Sequence, residues 1–513
     1  FWHAMDEWDQ STDELKVYYS ITKDPYTWVQ LEHYTTPLAN WTKREITLPD
    51  AVKVQQCYIA FEGISNWGWG VCIDEVKIEE RGLLPRTVET FALRQYSVTF
   101  PSGTNINPFS FIRAFVTGNS GEIPVNAINL SYTGTSINDI SNVRLYHTRD
   151  SLFTIGTPIT SNVTINNNDI TINAPSFNLL TGDNYLWICF DIAPSASYGN
   201  TIDFTLNANS VQLGNTTFPT TNLNPIQFAN IHTSVLVDDF TNTTGWARTG
   251  VWQIGQPIGG GTFDPNFAFH GSNVLATNLS GNYPPGIWSD NPQTATSSTI
   301  DAKYYQNLSV YYRRWLNIEY FDRTSVQLSN NGEVSWYNLF VSNSDILDRR
   351  YRAVTHNIAS FATRKEDVKI KFSLDTTNQV TEYGGWNIDN FAVTGEFIHS
   401  DVGVKSKILP VQQCGLTSTE TVGVVIKNYG GATVSVPFEI GYSLNGGASY
   451  TREWFSDGID SEEEIEFTFA TPANLSAPGL KNLVFRTFLE GDQDPSNNAY
   501  SENLYVFPTV AFP

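Results

Sequence analysis

Apolar and polar residues alternate along this chain in short runs, and Gly, Pro, Asn and Asp cut the runs apart. Alternation at period two predicts strands and the cuts predict turns, while helical periodicity is almost absent. The first stretch predicts strands over 14–20, 27–34, 43–48, 57–61 and 71–79, then a linker, Arg81-Gly82-Leu83-Leu84-Pro85. A second predicts strands over 91–100, 110–117, 127–132, 142–147, 169–172, 184–192 and 201–207. Within it Leu186-Trp187-Ile188-Cys189-Phe190 is apolar throughout, which places Cys189 in a core. A third stretch opens at Val235-Leu236-Val237 and runs through strands near 251–255, 273–277, 308–315, 326–329 and 385–391. A fourth predicts strands over 401–404, 421–428, 437–444, 464–469 and 482–489, with Asn445-Gly446-Gly447 as a hairpin turn. Phe507 to Pro513 reads as a linker leading out of that unit. The expected units are therefore 1–82, 88–226, 235–397 and 401–507, and the expected class is all-β, a multidomain string of β-sandwiches.

The first and third units share a pattern. Gly70-Val71-Cys72-Ile73-Asp74-Glu75-Val76 and Gly385-Trp386-Asn387-Ile388-Asp389-Asn390-Phe391 each follow an aromatic, glycine-rich turn. Upstream, Phe1-Trp2 and Arg314-Trp315 each precede a strand that ends in Ser, at Ser20 and Ser329. Trp2 and Asp74 are 72 residues apart, and Trp315 and Asp389 are 74 apart. Matched spacing predicts two copies of one domain. Aligned this way, Phe1 falls opposite Arg314, and the first copy lacks a counterpart of about 79 residues that open the third unit. The expectation is a truncated first copy in a chain that is the ordered part of something longer.

Composition narrows the function classes. Hydrophobic residues make up 41% of the 513, aromatics 13% and charged residues only 16%, which suits several packed β-cores with polar loops. The net charge of −22 and pI near 4.6 disfavour nucleic acid and anionic lipid as partners. No apolar run reaches the length of a membrane helix, so no membrane insertion is expected. Of the four cysteines, Cys57 and Cys72 flank one turn region; they pair in a disulfide if their strands are neighbours and otherwise serve as small buried residues. No HExxH, GxSxG or P-loop occurs, and no catalytic constellation emerges.

The duplicated units resemble the cleaved-adhesin, or choice-of-anchor-J, domains of Bacteroidetes surface proteins, which are MAM-like jelly rolls. The residues that carry the likeness are Phe1-Trp2-His3, Asp13-Glu14-Leu15, Tyr58 to Gly63 and Cys72 to Val76 in one copy. In the other they are Val251 to Gly255, Gly271 to Leu275, Arg314 to Asn317 and Gly385 to Asp389. The second and fourth units look like immunoglobulin-like domains, the fourth of the CARDB type, through Val425-Ile426-Lys427-Asn428-Tyr429-Gly430 and Asp492 to Asn498. The resemblance implies two MAM-like jelly rolls, the first truncated, and two immunoglobulin-like domains. It also implies a non-catalytic, secreted cell-surface adhesin, exported by the type 9 secretion system and linked to adhesion or gliding motility at the outer membrane. Its partners would be other cell-surface or secretion-system proteins, or glycans. The alternatives are an accessory subunit of the outer-membrane secretion or motility apparatus, and the non-catalytic modules of a secreted protease or glycosidase.

The likeness also nominates sites. MAM-like jelly rolls hold a structural calcium near an Asp such as Asp74 or Asp389, with a first-strand partner that would be Asp238 or Asp239. The bland alternative is an Asp that caps a turn. Asp150-Ser151-Leu152 and Asp375-Thr376-Thr377 fit the short O-glycosylation pattern of the phylum, at Ser151 and Thr376. Aromatic residues among glycines and prolines are candidate ligand contacts: Trp67, Trp69, Tyr283 and Trp288. Their alternative is to plug the ends of a sandwich. Leu328 to Trp336 is similar to a sialidase Asp-box, but with Asn for the acid and Trp one residue late, and it reads as a hairpin. Asp492, Asp494 and Asn497 read as a solvated Asx-rich turn.

Overall fold

Alternation becomes paired antiparallel strands nearly everywhere, arranged as successive β-sandwiches with separate cores. The structure is a computed structural model and describes residues 1–508 except 23, 25, 26, 53–55, 80–82, 243 and 343. Arg81 and Gly82 of the expected linker and residues 509–513 of the expected tail lie outside the described residues.

Among its described residues the first unit has six strands: β1 (Trp2–Met5), β2 (Glu14–Ser20), β3 (Val29–Tyr34), β4 (Leu38–Lys43), β5 (Tyr58–Ile64) and β6 (Cys72–Asp74). They form two three-stranded sheets, β4-β1-β6 and β3-β2-β5. Met5, Leu15 and Val17 fill the space between them, with Phe1, Phe61 and Ile73 alongside. Two predicted strands shift. The span 43–48 is strand only at its first residue, because the strand starts after Pro37 and pairs Leu38 to Lys43 with β1. The span 71–79 stops at Asp74, whose carboxylate takes the N–H of Glu75, a residue with a left-handed backbone.

The third unit contains β7 (Ser234–Asp238), β8 (Trp246–Arg248), β9 (Trp252–Gly255), β10 (Val274–Thr277) and β11 (Gln293–Ser297). It continues with β12 (Tyr305–Ile318), β13 (Arg323–Ser329), β14 (Tyr337–Val341), β15 (Arg352–Asn357), β16 (Lys369–Thr376) and β17 (Gly385–Phe397). One sheet runs β9-β10-β17-β12, with β7 on β17 and β15 on β12; the other runs β8-β11-β16-β13-β14. The triplets β15-β12-β17 and β14-β13-β16 repeat β4-β1-β6 and β3-β2-β5 in the same chain order. The pairing slips by two residues between copies: Trp2 lies opposite Asp74, whereas Trp315 lies opposite Asn387 and Arg313 opposite Asp389. A slip of two keeps each side chain on its face, so Ile73 and Ile388 both point into a core. What the third unit adds is β7 and β9-β10 beyond β17, and β8-β11 beyond β16. Phe372 and Leu374 of β16 are fully buried, while Ile59 and Phe61 of β5 are only partly covered.

The second unit packs the sheet of Thr87–Gln95, Asn107–Thr117, Gly182–Ile192 and Ile140–Thr148 against the sheet built on Pro124–Tyr132. The predicted span 91–100 divides at Tyr96-Ser97 into Thr87–Gln95 and Val98–Pro101. The strand Gly182–Ile192 is covered on both faces, which explains its continuous apolar run. Leu186, Ile188 and Phe190 enter the unit's own core, and Trp187 and Cys189 point to the third unit. There Phe111, Tyr146, Trp187 and Cys189 meet Phe269, Val274, Trp315 and Tyr351 in one aromatic cluster. Asn390 adds a bond from its amide to the Asn105 carbonyl across this joint. The fourth unit is a three- and four-stranded sandwich whose Phe438–Ser443 and Thr451–Phe455 form the predicted Asn-Gly hairpin. Arg364 ties it to the third unit by pairing with Asp401 and, at 3.2 Å, with Asp494.

Candidate functional site

The third unit carries three loops fastened together at one end. Asp322 stands just before β13, almost wholly buried. Its Oδ2 accepts the Tyr283 hydroxyl at 2.5 Å, and its Oδ1 accepts the Asn378 N–H at 2.6 Å. Glu319 accepts the Asn378 side-chain amide. The Thr377 hydroxyl accepts the Ile287 N–H at 2.9 Å and donates to the Pro284 carbonyl at 2.8 Å. Burial pushes the Asp322 carboxyl up, and the bonds from Tyr283 and Asn378 oppose it. Tyr283, Ile287 and Trp386 already fill this end of the core, with Tyr383 partly covered against it, so Trp288, Tyr320 and Phe321 point outward. Trp288 is 67% exposed and Phe321 74%, and Tyr320 meets Phe321 edge to face at 5.1 Å.

The first unit repeats the device. Asp13 stands just before β2 and is 3% exposed. Its Oδ1 accepts the N–H groups of Asn66 at 2.6 Å and Gly68 at 3.0 Å, and its Oδ2 accepts that of Gly70 at 2.7 Å. Glu14 accepts the Asn66 amide at 2.9 Å, as Glu319 does for Asn378. Burial pushes the Asp13 carboxyl up, but the three N–H donors outweigh it and hold it below its ordinary value. Glycine is required here: a Cβ on Gly68 would sit 2.7 Å from the Asp13 nitrogen, and Gly70 has φ +99°. Trp67 projects from this loop 80% exposed, and Trp8 and Trp69 lie with ring centroids 5.6 Å apart. The plug reading therefore fails for Trp67 and Trp69. Tyr283 differs in the opposite sense: it is fully buried with its hydroxyl spent on Asp322, so it supports the site and cannot contact a ligand.

Of these groups, the sequence reading missed Trp8, Tyr320 and Phe321 as exposed aromatics and Asp13 and Asp322 as clamps. A signal for the first set existed, since Trp8 follows Trp2 by six residues and Phe321 follows Trp315 by six.

The predicted carboxylates are only partly brought together. Asp389 is fully buried; its oxygens accept the N–H groups of His270 at 2.8 Å and Asn390 at 2.7 Å. Burial pushes its carboxyl up to about 8, with backbone donors opposing and Asp239 adding repulsion. Asp239 lies near it, 3.8 Å from His270 Nδ1. Asp238 turns away to accept the Phe240 N–H and the Trp246 indole at 2.9 Å. Asp74 is exposed and caps Glu75 at 2.7 Å. Among the described residues no three His, Cys, Asp or Glu side chains stand together as a metal cluster. Of the expected site, buried Asp389 and Asp239 lie near each other, while Asp238 and Asp74 do not join them.

Cys57 and Cys72 are free thiols: Cys57 precedes β5 and Cys72 opens β6, and those strands belong to different sheets. Ser151 is exposed in a loop, and Thr376 is half-buried at the end of β16. Asp492 and Asp494 form the expected Asx turn, with the Asp494 N–H on Asp492 at 2.9 Å. Ser329 and Asn331 close the hairpin similar to an Asp-box, and Ser443 and Asn445 close a second with the same bonds. A cleft of 390 Å³ between the third and fourth units is lined by Lys303, Arg364 and Glu462. Its charges pair with one another, Lys303 with Glu366 at 3.3 Å and Glu462 at 3.4 Å, so it works as a joint. No helix among the described residues is long and apolar enough to cross a membrane.

Fold and loops together define an all-β chain of sandwich modules bearing aromatic loop ends. No protein-family model matches the chain, and no curated protein matches it. Among solved structures it is similar to the glycoside hydrolase domain of Endo-D from Streptococcus pneumoniae R6, at 12% identity and TM-score 0.20, over 51% of this chain and 37% of that one. It is also similar to a β-D-mannosidase from Dictyoglomus thermophilum, at 10% identity and TM-score 0.18, over 42% and 30%. A GH2 β-galacturonidase from Eisenbergiella tayi, bound to galacturonate, gives 10% identity and TM-score 0.17, over 52% and 43%. The chain thus spans less than half the length of each, and likenesses this slight carry no argument about its activity.

Proposed function

We propose that this chain is a non-catalytic binding segment of a secreted cell-surface protein of the adhesin type. It resembles the cleaved-adhesin proteins that the type 9 secretion system delivers to the outer membrane, and it serves adhesion or gliding. The observation that supports this reading is the duplicated loop end. In both copies buried carboxylates hold the backbone still from below while aromatic rings face solvent. Rings on a fixed backbone offer large contact area at little entropic cost. Partners are other cell-surface proteins or glycans. The test is a titration of the labelled intact chain onto bacterial cells and onto mucin-coated surfaces. Saturable binding is expected, weakened at least tenfold when Trp67, Trp69, Trp288 and Phe321 are all replaced by Ala. Equal binding by that variant would contradict the proposal.

We also propose a structural calcium held by Asp389 and Asp239, where hard carboxylate oxygens suit the ion. Calcium is expected to raise the melting temperature of the intact chain, and Asp389→Asn to abolish the rise. A melting temperature indifferent to calcium would count against it. Ser151 is the proposed glycan acceptor of the two candidates, because its hydroxyl is open to an enzyme.

A further inference from the structure

We infer that the two aromatic loop ends are paired subsites for one neutral glycan, so that a single chain grips a polysaccharide at two points. This deepens the binding reading and rests on it. Charge favours a sugar. Residues 6–13 and 65–70 of the first end contain no Lys or Arg, and neither do 283–291, 319–322 and 377–384 of the third-unit end. The nearest cations are Arg323, which follows Asp322, and Arg349, whose guanidinium lies 3.4 Å over the Phe263 ring; in a chain of net charge −22 these two leave a phosphorylated, sulfated or uronic-acid ligand repelled overall. The polar groups beside the rings are acceptors and amides instead: Asp6, Glu7 and Asp9 at one end, and Asp290 and Gln379 at the other, all exposed. Sugar hydroxyls are donors that match carboxylate and amide oxygens. The apolar C–H face of a pyranose matches an open indole or phenyl face, as Trp67, Trp69 and Trp288 present.

A protein partner fits less well. A standard protein interface buries roughly 800 Å² per side around a well-packed apolar centre. Each loop end offers one contacting pair of rings, Trp8 with Trp69 or Tyr320 with Phe321, and one further exposed ring, Trp67 or Trp288, set among polar backbone and carboxylates. The two ends also share one construction, from the Asp clamp (Asp13, Asp322) through the Asn it holds (Asn66, Asn378). Like construction suits a ligand that repeats itself. Two linked sites on a repeating polymer add affinity through effective concentration, by about 10²-fold or more.

The experiment is affinity electrophoresis of the intact chain through gels containing β-glucan, mannan, galactan or xylan. Polygalacturonate and a sulfated galactan serve as anionic counterparts. At least one neutral polysaccharide is expected to retard the chain, and neither anionic polymer. Trp67→Ala/Trp69→Ala and Trp288→Ala/Phe321→Ala should each weaken retardation about tenfold or more, whereas binding of a short oligosaccharide of the same sugar should fall no more than about twofold. Circular dichroism confirms that each variant is folded. Retardation by none of the neutral polymers, equal retardation by the anionic ones, or variants that migrate like the parent would overturn the inference. If cell or mucin binding still depends on the rings while no neutral polymer retards the chain, the ligand class is wrong and the binding reading stands. If that binding ignores the rings, both fall.

Discussion

Replacing Asp13 by Asn keeps the shape of the side chain and removes its charge. Three N–H groups, on Asn66, Gly68 and Gly70, then lose a charged acceptor. Hydrogen bonds to charged groups contribute about 1.5–3 kcal/mol each, and neutral ones about 1. The amide oxygen still accepts from Asn66 and Gly68, each bond weakened by about 1 kcal/mol. The amide nitrogen faces the Gly70 N–H, donor against donor, and that bond is lost. The sum is about 4 kcal/mol, and water reaching this surface loop recovers roughly half. A drop of about 2 kcal/mol in the free energy of opening corresponds to about 30-fold faster amide exchange. Hydrogen–deuterium exchange over residues 64–71 reads this directly, with Asp74→Asn as a surface control expected to change nothing there. The pH dependence has a fixed sign. The donors hold the Asp13 carboxyl below its usual 3.8, so the clamp is intact above that value and is lost only as pH falls through the lower folded value. Protection should therefore be equal at pH 7 and pH 5. Unchanged exchange in Asp13→Asn would refute the clamp.

Burial, aided by the Arg44 charge, lowers the pKa of His3 to about 4 from 6.5. The first unit should lose up to about 3 kcal/mol of stability as pH falls from 6.5 through 4, and His3→Phe should flatten the dependence measured by exchange over β1 and β4. Asp264, pushed up to about 6 by burial against the Asn387 and Gly261 bonds, works in the opposite direction. Stability of the third unit should fall as pH rises through 6, and a urea midpoint higher at pH 8 than at pH 5 would contradict that. Phe269→Ala removes a nearly buried ring that lies 6.2 Å from Phe153 of the second unit and 5.8 Å from Tyr351. It should cost about 3–4 kcal/mol and loosen the joint, read as a larger radius of gyration by small-angle scattering; an unchanged radius would count against it.

The period-two pattern carried the strand content where a strand has one face in a core, as in Glu14–Ser20, which matches its predicted span residue for residue. The same pattern could not separate a sandwich core from an inter-unit joint. Cys189 was legible as buried, but nothing in Leu186-Trp187-Ile188-Cys189-Phe190 says that alternate residues serve two different units. The duplication was legible from the spacing of Trp2 and Asp74 against Trp315 and Asp389, and the shared strand order supports it. The loop end was half legible. Trp67, Trp69 and Trp288 stand out by composition, but whether a ring points in or out depends on whether other side chains already occupy the end of the core. Tyr283 occupies it and Trp288 does not, although they are five residues apart. The clamps were illegible because Asp13 and Asp322 act on backbone N–H groups more than fifty residues away, and such bonds leave no local sequence pattern.

Hydroxyl-radical footprinting of the intact chain, free and bound to a surface it adheres to, reads whether the loop-end rings form the contact. Oxidation of Trp67, Trp69, Trp288 and Phe321 is expected to fall on binding, while Trp454 of the fourth unit, 66% exposed, reacts as before. Protection of Trp454 with the loop-end rings still fully oxidised would contradict it.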